Sequence, residues 1–230
     1  MGLFDIFDKK GNPTGQIIES EKAHVKGMIC RTVIMMIILM TILQGVRELA
    51  EYLISPMLPD IWFANRMLTM SLMVVLTVVL VSIARYRKQP LSVFPDRFSK
   101  GYIIASCIVI ALYISTPANY IEGFSAVMLL IYGSIVTPVY EELLFRGYIW
   151  NTCEKVMPKK SIVLIWNIVL FSVWHMGYMI PHLISGNWNA VLWKLAAGLC
   201  YGTVLGFIRY KTGNCYSTIL AHGVLNLFMI

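Results

Sequence analysis

Seven runs of apolar residues divide the sequence, and short polar segments separate them. The runs cover residues 29–46, 67–84, 102–115, 124–145, 161–180, 190–208 and 215–230. About 20 apolar residues in a helix span the hydrocarbon core of a bilayer. The pattern therefore predicts an all-α fold, a polytopic transmembrane bundle of about seven helices. Two of the runs, 102–115 and 215–230, are short, and either helix could be tilted or partly re-entrant.

The composition agrees with this prediction. Hydrophobic residues make up 58% of the 230 residues and charged residues only 13%, and the mean hydropathy is +0.70. These values are typical of an integral membrane protein. We expect residues 29–230 to form a single membrane domain with no soluble catalytic domain beside it. Residues 1–28 are polar and lack the apolar core of a signal peptide, so they are expected to form a cytoplasmic leader.

The basic residues predict the orientation of the bundle. The net charge is +7, but the basic residues form no patch with interleaved aromatic residues, so no nucleic-acid partner is expected. They lie instead at alternate connections, as Arg85, Arg87, Lys88, Arg97 and Lys100, then Lys155, Lys159 and Lys160, and last Arg209 and Lys211. Connections 116–123 and 181–189 contain no Lys or Arg. The positive-inside rule places the N-terminus in the cytoplasm and the C-terminus outside, with membrane lipids around the bundle.

Ionisable residues interrupt the fourth apolar run. Glu141, Glu142 and Arg146 lie at its end, and charges at such a depth are costly enough to indicate function. Glu142 and Arg146 are one helical turn apart and can form an ion pair, whereas Glu141 faces another direction. A carboxylate without such a partner can take a proton from water. The alternative is that both glutamates neutralise basic partners and only hold helices together.

Two further helices carry polar residues at the same spacing. Phe171 and His175 share one face of the fifth predicted helix. Imidazole is well suited to orient a water or bind a metal, although a lone histidine in such a helix is more often a hydrogen-bonding contact. His222 and Asn226 share one face of the seventh helix and could hold the oxygen of a tetrahedral intermediate. The alternative for this pair is that it fastens the last helix to the bundle. Gly223 lets another backbone approach closely.

The three motifs together resemble a known family. Glu141-Glu142-x-x-x-Arg146, Phe171-x-x-x-His175 and His222-x-x-x-Asn226 occur in the order found in the CPBP intramembrane proteases, which include the type II CAAX prenyl proteases and the bacterial Abi proteins. The resemblance covers residues 124–230, where all the catalytic motifs lie. The first three predicted helices carry no signature of the family.

The resemblance implies an endopeptidase that uses a glutamate-activated water. Glu141 would activate the water and His175 would help to position it. His222 and Asn226 would stabilise the oxyanion, and Glu142 and Arg146 would hold Glu141 in place. The family is often named a metalloprotease, and one carboxylate with two imidazoles is an acceptable zinc set. A zinc-bound Glu141 leaves no evident separate base unless Glu142 serves, so a metal-free mechanism is slightly favoured.

The leading functional hypothesis is cleavage of a membrane-associated or lipid-modified peptide or protein in a bacterial cell membrane. The family is associated there with self-immunity to peptide bacteriocins and with processing of peptide signals. A second hypothesis is a non-catalytic membrane immunity or regulatory protein whose polar cluster holds a partner helix. A third is a small proton-coupled transporter, which buried Glu and His residues alone would also suit.

Overall fold

The computed structural model describes residues 15–59, 62–116, 121 and 123–228, and all regular structure in these ranges is helical. The helices are α1 (Gly15–Ile54), α2 (Trp62–Tyr86), α3 (Lys100–Ser115), α4 (Phe124–Glu154), α5 (Lys160–Met176), α6 (Ile180–Ile184), α7 (Trp188–Thr212) and α8 (Cys215–Leu227). The seven predicted runs fall on α1 to α5, α7 and α8. Run 161–180 continues through a 3₁₀ turn, Gly177–Met179, into α6. The all-α prediction is confirmed.

The helices differ in length more than the sequence pattern suggested. Among the described residues, the four segments long and apolar enough to cross a membrane are Lys22–Met57, α2, α4 and α7. Helices α3 and α5 have 16 and 17 residues and α8 has 13. At about 1.5 Å per residue these three are shorter than the roughly 30 Å hydrocarbon core. The protein is an integral membrane protein in which long spans pack with shorter helices.

The polar leader contributes to the first helix. Helix α1 begins at Gly15, so residues 15–28 continue the helix of the first apolar run. Residues 1–14 lie outside the described residues. The predicted leader therefore includes, in its described part, a helical extension of the first span.

Helix α4 forms the centre of the bundle. Every residue from 140 to 151 is buried, although this stretch includes two glutamates and an arginine. A helix that is buried on all sides lies inside a bundle rather than on its surface. Helices α1, α2, α5 and α8 all contact α4. The ionisable residues of α4 are therefore surrounded by protein.

Two π-helical segments interrupt α4 on either side of the glutamates. They cover Tyr132–Val136 and Leu143–Ile149, and Thr137–Glu142 between them is α-helical. Pro138 has no N–H to donate to the carbonyl of Ser134. The hydroxyl of Tyr113 in α3 donates to that carbonyl at 3.0 Å. Single π turns are rare and occur mainly at functional sites, because they change which side chains face a given direction.

Glycines bring two pairs of helices into close contact. A Cβ atom at Gly223 of α8 would overlap the Tyr113 hydroxyl and the Ser134 carbonyl. The predicted close approach of a helix backbone at Gly223 is confirmed. Helices α5 and α7 meet along three glycines spaced four residues apart: Gly198, Gly202 and Gly206. Small residues at this spacing allow helix backbones to pack tightly in membranes.

Contacts across several helices close the end of the bundle that contains the 87–99 connection. The backbone N–H groups of Cys215 and Tyr216 donate to the carbonyls of Ser92 and Val93, at 2.9 and 2.8 Å. These bonds satisfy donors at the start of α8, where a helix has no internal acceptors. The 87–99 connection therefore caps the helix that carries His222.

Arg209 does not lie in a connection as the sequence suggested. It belongs to α7 and is only 3% exposed. Its Nε donates to the carbonyl of Arg146 and its Nη2 to Oδ1 of Asn151, both at 2.8 Å. Arg209 was wrongly counted among the loop charges, because these two acceptors draw it into the bundle. Lys211, counted with it, is exposed.

Gly202→Val tests the close contact between α5 and α7. A Cβ atom at this position would lie 3.3 Å from the carbonyl oxygen of Ile168 and 3.4 Å from its Cα, so a branched side chain would force the helices apart. We expect the free energy of unfolding in mixed micelles to fall by about 1–3 kcal/mol. Gly45→Val in α1 is the matched control, because nothing lies within 4 Å of that position. Equal effects of the two substitutions would contradict the packing argument.

Candidate active site

The three motifs found in the sequence meet at one cavity. Glu141 from α4, His175 from α5, and His222 and Asn226 from α8 all line a cavity of about 650 Å³. Glu142 and Arg146 are not among its lining residues, and both are fully buried behind it. The four predicted catalytic residues thus line one cavity, and the two predicted supporting residues lie in the protein interior behind it. The roles of all six remain predictions.

Glu142 lies at the centre of a buried ionic cluster. Its Oε1 accepts a hydrogen bond from Nη1 of Arg146 at 3.1 Å and one from Nδ1 of His222 at 2.9 Å. The ion pair between residues 142 and 146, predicted from their spacing, is confirmed. A carboxylate that accepts two charge-assisted hydrogen bonds holds both donors firmly. Glu142 therefore connects α4 to α8 and orients the His222 ring.

The orientation of His222 brings its second nitrogen close to Glu141. A carboxylate can only accept, so Nδ1 of His222 carries the proton in its bond to Glu142. Nε2 then lies 3.9 Å from Oε2 of Glu141, which is too far for a direct hydrogen bond. His222 is 2% exposed and Glu141 3%. The two side chains face each other across a gap at the wall of the cavity.

Glu141 has a hydrogen-bond donor that the sequence analysis missed. Nε1 of Trp174 donates to its Oε1 at 3.4 Å. The sequence offered one signal, since Trp174 lies one helical turn after Phe171 and beside His175, on nearly the same face of α5. Within the described ranges, Glu141 therefore forms no ion pair with an arginine as Glu142 does, and one of its oxygens accepts a hydrogen bond from an indole.

Phe171 packs against two imidazole rings and one guanidinium group. It is fully buried, and its ring centroid lies 4.6 Å from that of His175 and 6.2 Å from that of His222. The guanidinium carbon of Arg146 lies 4.2 Å from the Phe171 centroid, within the range of a cation–π contact. His175 donates from Nδ1 to the Phe171 carbonyl at 2.8 Å. Phe171 thus contacts a residue of every motif.

Asn226 makes a contact that fastens the last helix to the bundle, as the structural alternative for this residue expects. Its Nδ2 donates to the carbonyl of Gly133 at 2.7 Å, in the first π segment of α4. This bond joins α8 to α4 close to the contact of Gly223 with Ser134. A carboxamide has a second N–H and a carbonyl oxygen, and Asn226 also lines the cavity. Its predicted part in binding an oxyanion is compatible with this structural bond.

Charged residues from the first two helices also line the cavity, although the sequence analysis found no signature there. They are Arg47, Glu48 and Glu51 of α1 and Arg66 of α2, and Lys194 of α7 lines the cavity as well. Arg47 is 2% exposed and forms ion pairs with Glu48 and Glu51. The signal that could have found these residues is their charge, since ionisable residues within long apolar helices mark functional cavities.

The residues do not form a ready metal site. Within the described ranges, no group of three His, Cys, Asp or Glu side chains is placed to hold a metal ion. A zinc site would need Glu141, His175 and His222 as ligands. Among the described residues, these three side chains are not grouped as such a ligand set.

Arg146→Met tests the buried cluster. The substitution leaves the Glu142 carboxylate buried without its arginine, and removing one partner of a buried ion pair typically lowers the free energy of unfolding by about 3–5 kcal/mol. We expect the double variant Glu142→Gln/Arg146→Met to lose less than the single variant, because it leaves no uncompensated charge. Lys211→Met, at an exposed position, is the control. Denaturant titration in mixed micelles measures all three, and a double variant that loses more than Arg146→Met would contradict the argument.

Comparison with known proteins supports the resemblance of the motifs. The family described as type II CAAX prenyl endopeptidase Rce1-like matches residues 123–228, which comprise α4 to α8 and all six site residues. Comparisons with the curated proteins and with the solved structures gave no match. The helical region from residue 123 to residue 228 is therefore similar to the CPBP intramembrane proteases, in particular to the Rce1-like type II CAAX prenyl endopeptidases.

Proposed function

We propose that the protein is an intramembrane endopeptidase that hydrolyses a peptide bond in a membrane-associated or lipid-modified peptide or protein. The observation that carries the proposal is the different placement of two neighbouring carboxylates. Glu142 is closed off behind the cavity with Arg146 and His222, whereas Glu141 lines the cavity opposite the imidazole of His222. A carboxylate positioned in this way suits a general base, because it can reach both water and substrate.

The reaction proceeds by attack of water on the peptide carbonyl. Glu141 takes a proton from the water, and the resulting hydroxide adds to the carbonyl carbon to give a tetrahedral intermediate. The peptide C–N bond then breaks while Glu141 returns the proton to the departing nitrogen. The products are a new carboxyl terminus and a new amino terminus. His175, held through Nδ1 by the Phe171 carbonyl, presents its other nitrogen to the cavity and positions the water.

His222 supplies the stabilisation of the oxyanion. The Glu142 carboxylate accepts a hydrogen bond from Nδ1 of His222 and so holds the ring with Nε2 towards Glu141. With a proton on Nε2 as well, this nitrogen donates to the developing oxyanion, and the second N–H of Asn226 donates alongside it. Arg146 acts through Glu142 and is a positioning residue.

The biological role proposed for this activity is self-immunity to a peptide bacteriocin or processing of a peptide signal. Both roles require a short polypeptide that reaches the membrane. The charged residues at the cavity wall, Arg47, Glu48, Glu51, Arg66 and Lys194, are suited to a hydrated peptide backbone rather than to an acyl chain alone.

Glu141→Gln tests the catalytic proposal. The amide keeps the shape of the side chain but cannot take the proton, so we expect cleavage to slow by about 10²–10⁴-fold. The purified full chain in lipid vesicles is incubated with farnesylated and palmitoylated peptides, and mass spectrometry identifies the products. Wild-type hydrolysis in heavy-oxygen water introduces one labelled oxygen at the new carboxyl terminus.

Glu154→Gln is the matched control for this experiment. Glu154 is the last residue of the same helix and is exposed, so its amide variant is expected to cleave at the wild-type rate. Unchanged cleavage by Glu141→Gln would refute the proposed role. Full biological activity in a folded Glu141→Gln variant would favour the non-catalytic immunity or regulatory protein.

Removal of metal tests the metal-free form of the mechanism. Because Glu141 acts as the base without a metal in this proposal, a strong zinc chelator followed by gel filtration is expected to leave the cleavage rate unchanged. The rate is measured on the same lipidated peptides before and after treatment. Inactivation by the chelator and recovery with zinc alone would overturn this part of the mechanism.

A further inference from the structure

Interhelical contacts distinguish the two ends of the bundle. We call one end of the bundle the basic end; there the 87–102 region is bonded to α4 and to the residue before α8. Nδ2 of Asn151 donates to the Pro90 carbonyl at 2.7 Å, and Nδ2 of Asn214 donates to the Tyr102 hydroxyl at 3.0 Å. We call the opposite end the cavity end; there the end of α1 contacts the start of α2 and the end of α5. There the hydroxyl of Ser55 contacts Oδ1 of Asn65 at 2.7 Å, and Gln44 packs against Gly177.

Exposed basic residues are concentrated at the basic end. Those in the connections and adjoining helix turns are Arg85, Arg87, Lys88, Arg97, Lys100, Lys155, Lys159, Lys160 and Lys211, and all are exposed. At the cavity end, the sequence contains no Lys or Arg in residues 55–61, 116–123 or 177–187. In the folded bundle all the connections that carry Lys and Arg lie at the same end. The unequal distribution of basic residues therefore distinguishes the two ends of the bundle.

The cavity that holds Glu141 reaches the end without basic connections. Its wall includes Glu48 and Glu51 near the end of α1, Arg66 near the start of α2, Met179 just beyond α5, and Lys194 in the second turn of α7. All these positions lie within two or three helical turns of the connections at the cavity end. No residue of the 87–99 connection lines the cavity within the described part of the chain. The route from water to Glu141 therefore runs from the cavity end.

We propose that the cavity opens to the non-cytoplasmic side of the membrane and accepts polypeptide that has already been exported. Short connections rich in Lys and Arg stay in the cytoplasm, which places the basic end inside and the cavity end outside. The assignment of a substrate rests on the proposed endopeptidase function, whereas the direction of access does not. The reaction that supplies the substrate is then translocation of a polypeptide across the membrane.

Substituted cysteines test the direction of access without any catalytic assay. The exposed native cysteines, Cys30, Cys107 and Cys200, are replaced by serine, and the buried Cys153 and Cys215 are kept. Three single substitutions are then introduced: Ser185→Cys at the cavity end, Thr69→Cys on the cavity wall and Ser99→Cys at the basic end. Ser185 and Ser99 are a matched pair, because both are exposed serines next to a helix. Intact bacterial cells expressing the full chain are treated with a small, membrane-impermeant sulfonated methanethiosulfonate.

We expect cysteines at positions 185 and 69 to react in intact cells and a cysteine at position 99 to react only after permeabilisation. Modification of position 99 in intact cells, with 185 and 69 protected, would overturn the proposed orientation. Modification of 185 but not of 69 would overturn access to the cavity from this side. Repeating the labelling in the Glu141→Gln background separates this result from the proposed function, since that substitution is expected to leave labelling unchanged.

The native chain provides a second measurement in case a cysteine variant fails to fold. An impermeant, amine-reactive sulfonated ester is applied to intact cells, and modified lysines are identified by mass spectrometry. The lysines at positions 88, 100, 155, 159, 160 and 211 are exposed at the basic end and are expected to react only after permeabilisation. Their modification in intact cells would contradict an outward-facing cavity.

Discussion

The two hydrogen bonds that the buried carboxylate of Glu142 accepts organise the whole site. One of its oxygens accepts from both Arg146 and His222, so a single group compensates the arginine charge, joins α4 to α8 and sets the orientation of the imidazole. A buried charge is tolerated only when it is paired and hydrogen-bonded. The same requirement that stabilises the bundle therefore orients Nε2 of His222 towards Glu141. A change at Glu142 is therefore expected to affect both the stability of the bundle and the orientation of His222.

The backbone of α4 adapts to this arrangement on both sides of the glutamates. The first π segment presents the Gly133 and Ser134 carbonyls to Asn226 and Tyr113, and Gly223 leaves room for that contact. Beyond the glutamates, the second π segment contains Arg146, whose carbonyl accepts from the buried Arg209. The glycine contacts between α5 and α7 complete the enclosure and bring the Gly202 carbonyl within 3.5 Å of Arg146. The π segments and the glycine contacts let buried polar groups form hydrogen bonds with one another, since the membrane interior offers no water as a partner.

Charged residues form three groups at different places in the bundle. Exposed Lys and Arg cluster at one end, the neutralised Glu142 cluster occupies the interior, and ion-paired residues such as Arg47 and Glu51 line the wall of the cavity. In the proposed function, a peptide that enters from the cavity end meets side chains of both charges before it reaches Glu141.

Features that depend on local geometry could be predicted from the order of residues alone. Apolar runs predicted the helices, and the spacing of four residues predicted the ion pair of Glu142 with Arg146, because residues one turn apart on a helix meet whatever surrounds them. The contacts between helices could not be predicted in this way: Trp174 on Glu141, Asn226 on the Gly133 carbonyl, Arg209 inside the bundle and the charges of α1 on the cavity. These depend on how helices rotate and pack against one another, and the π segments of α4 change that rotation in a way that a regular 3.6-residue period cannot predict.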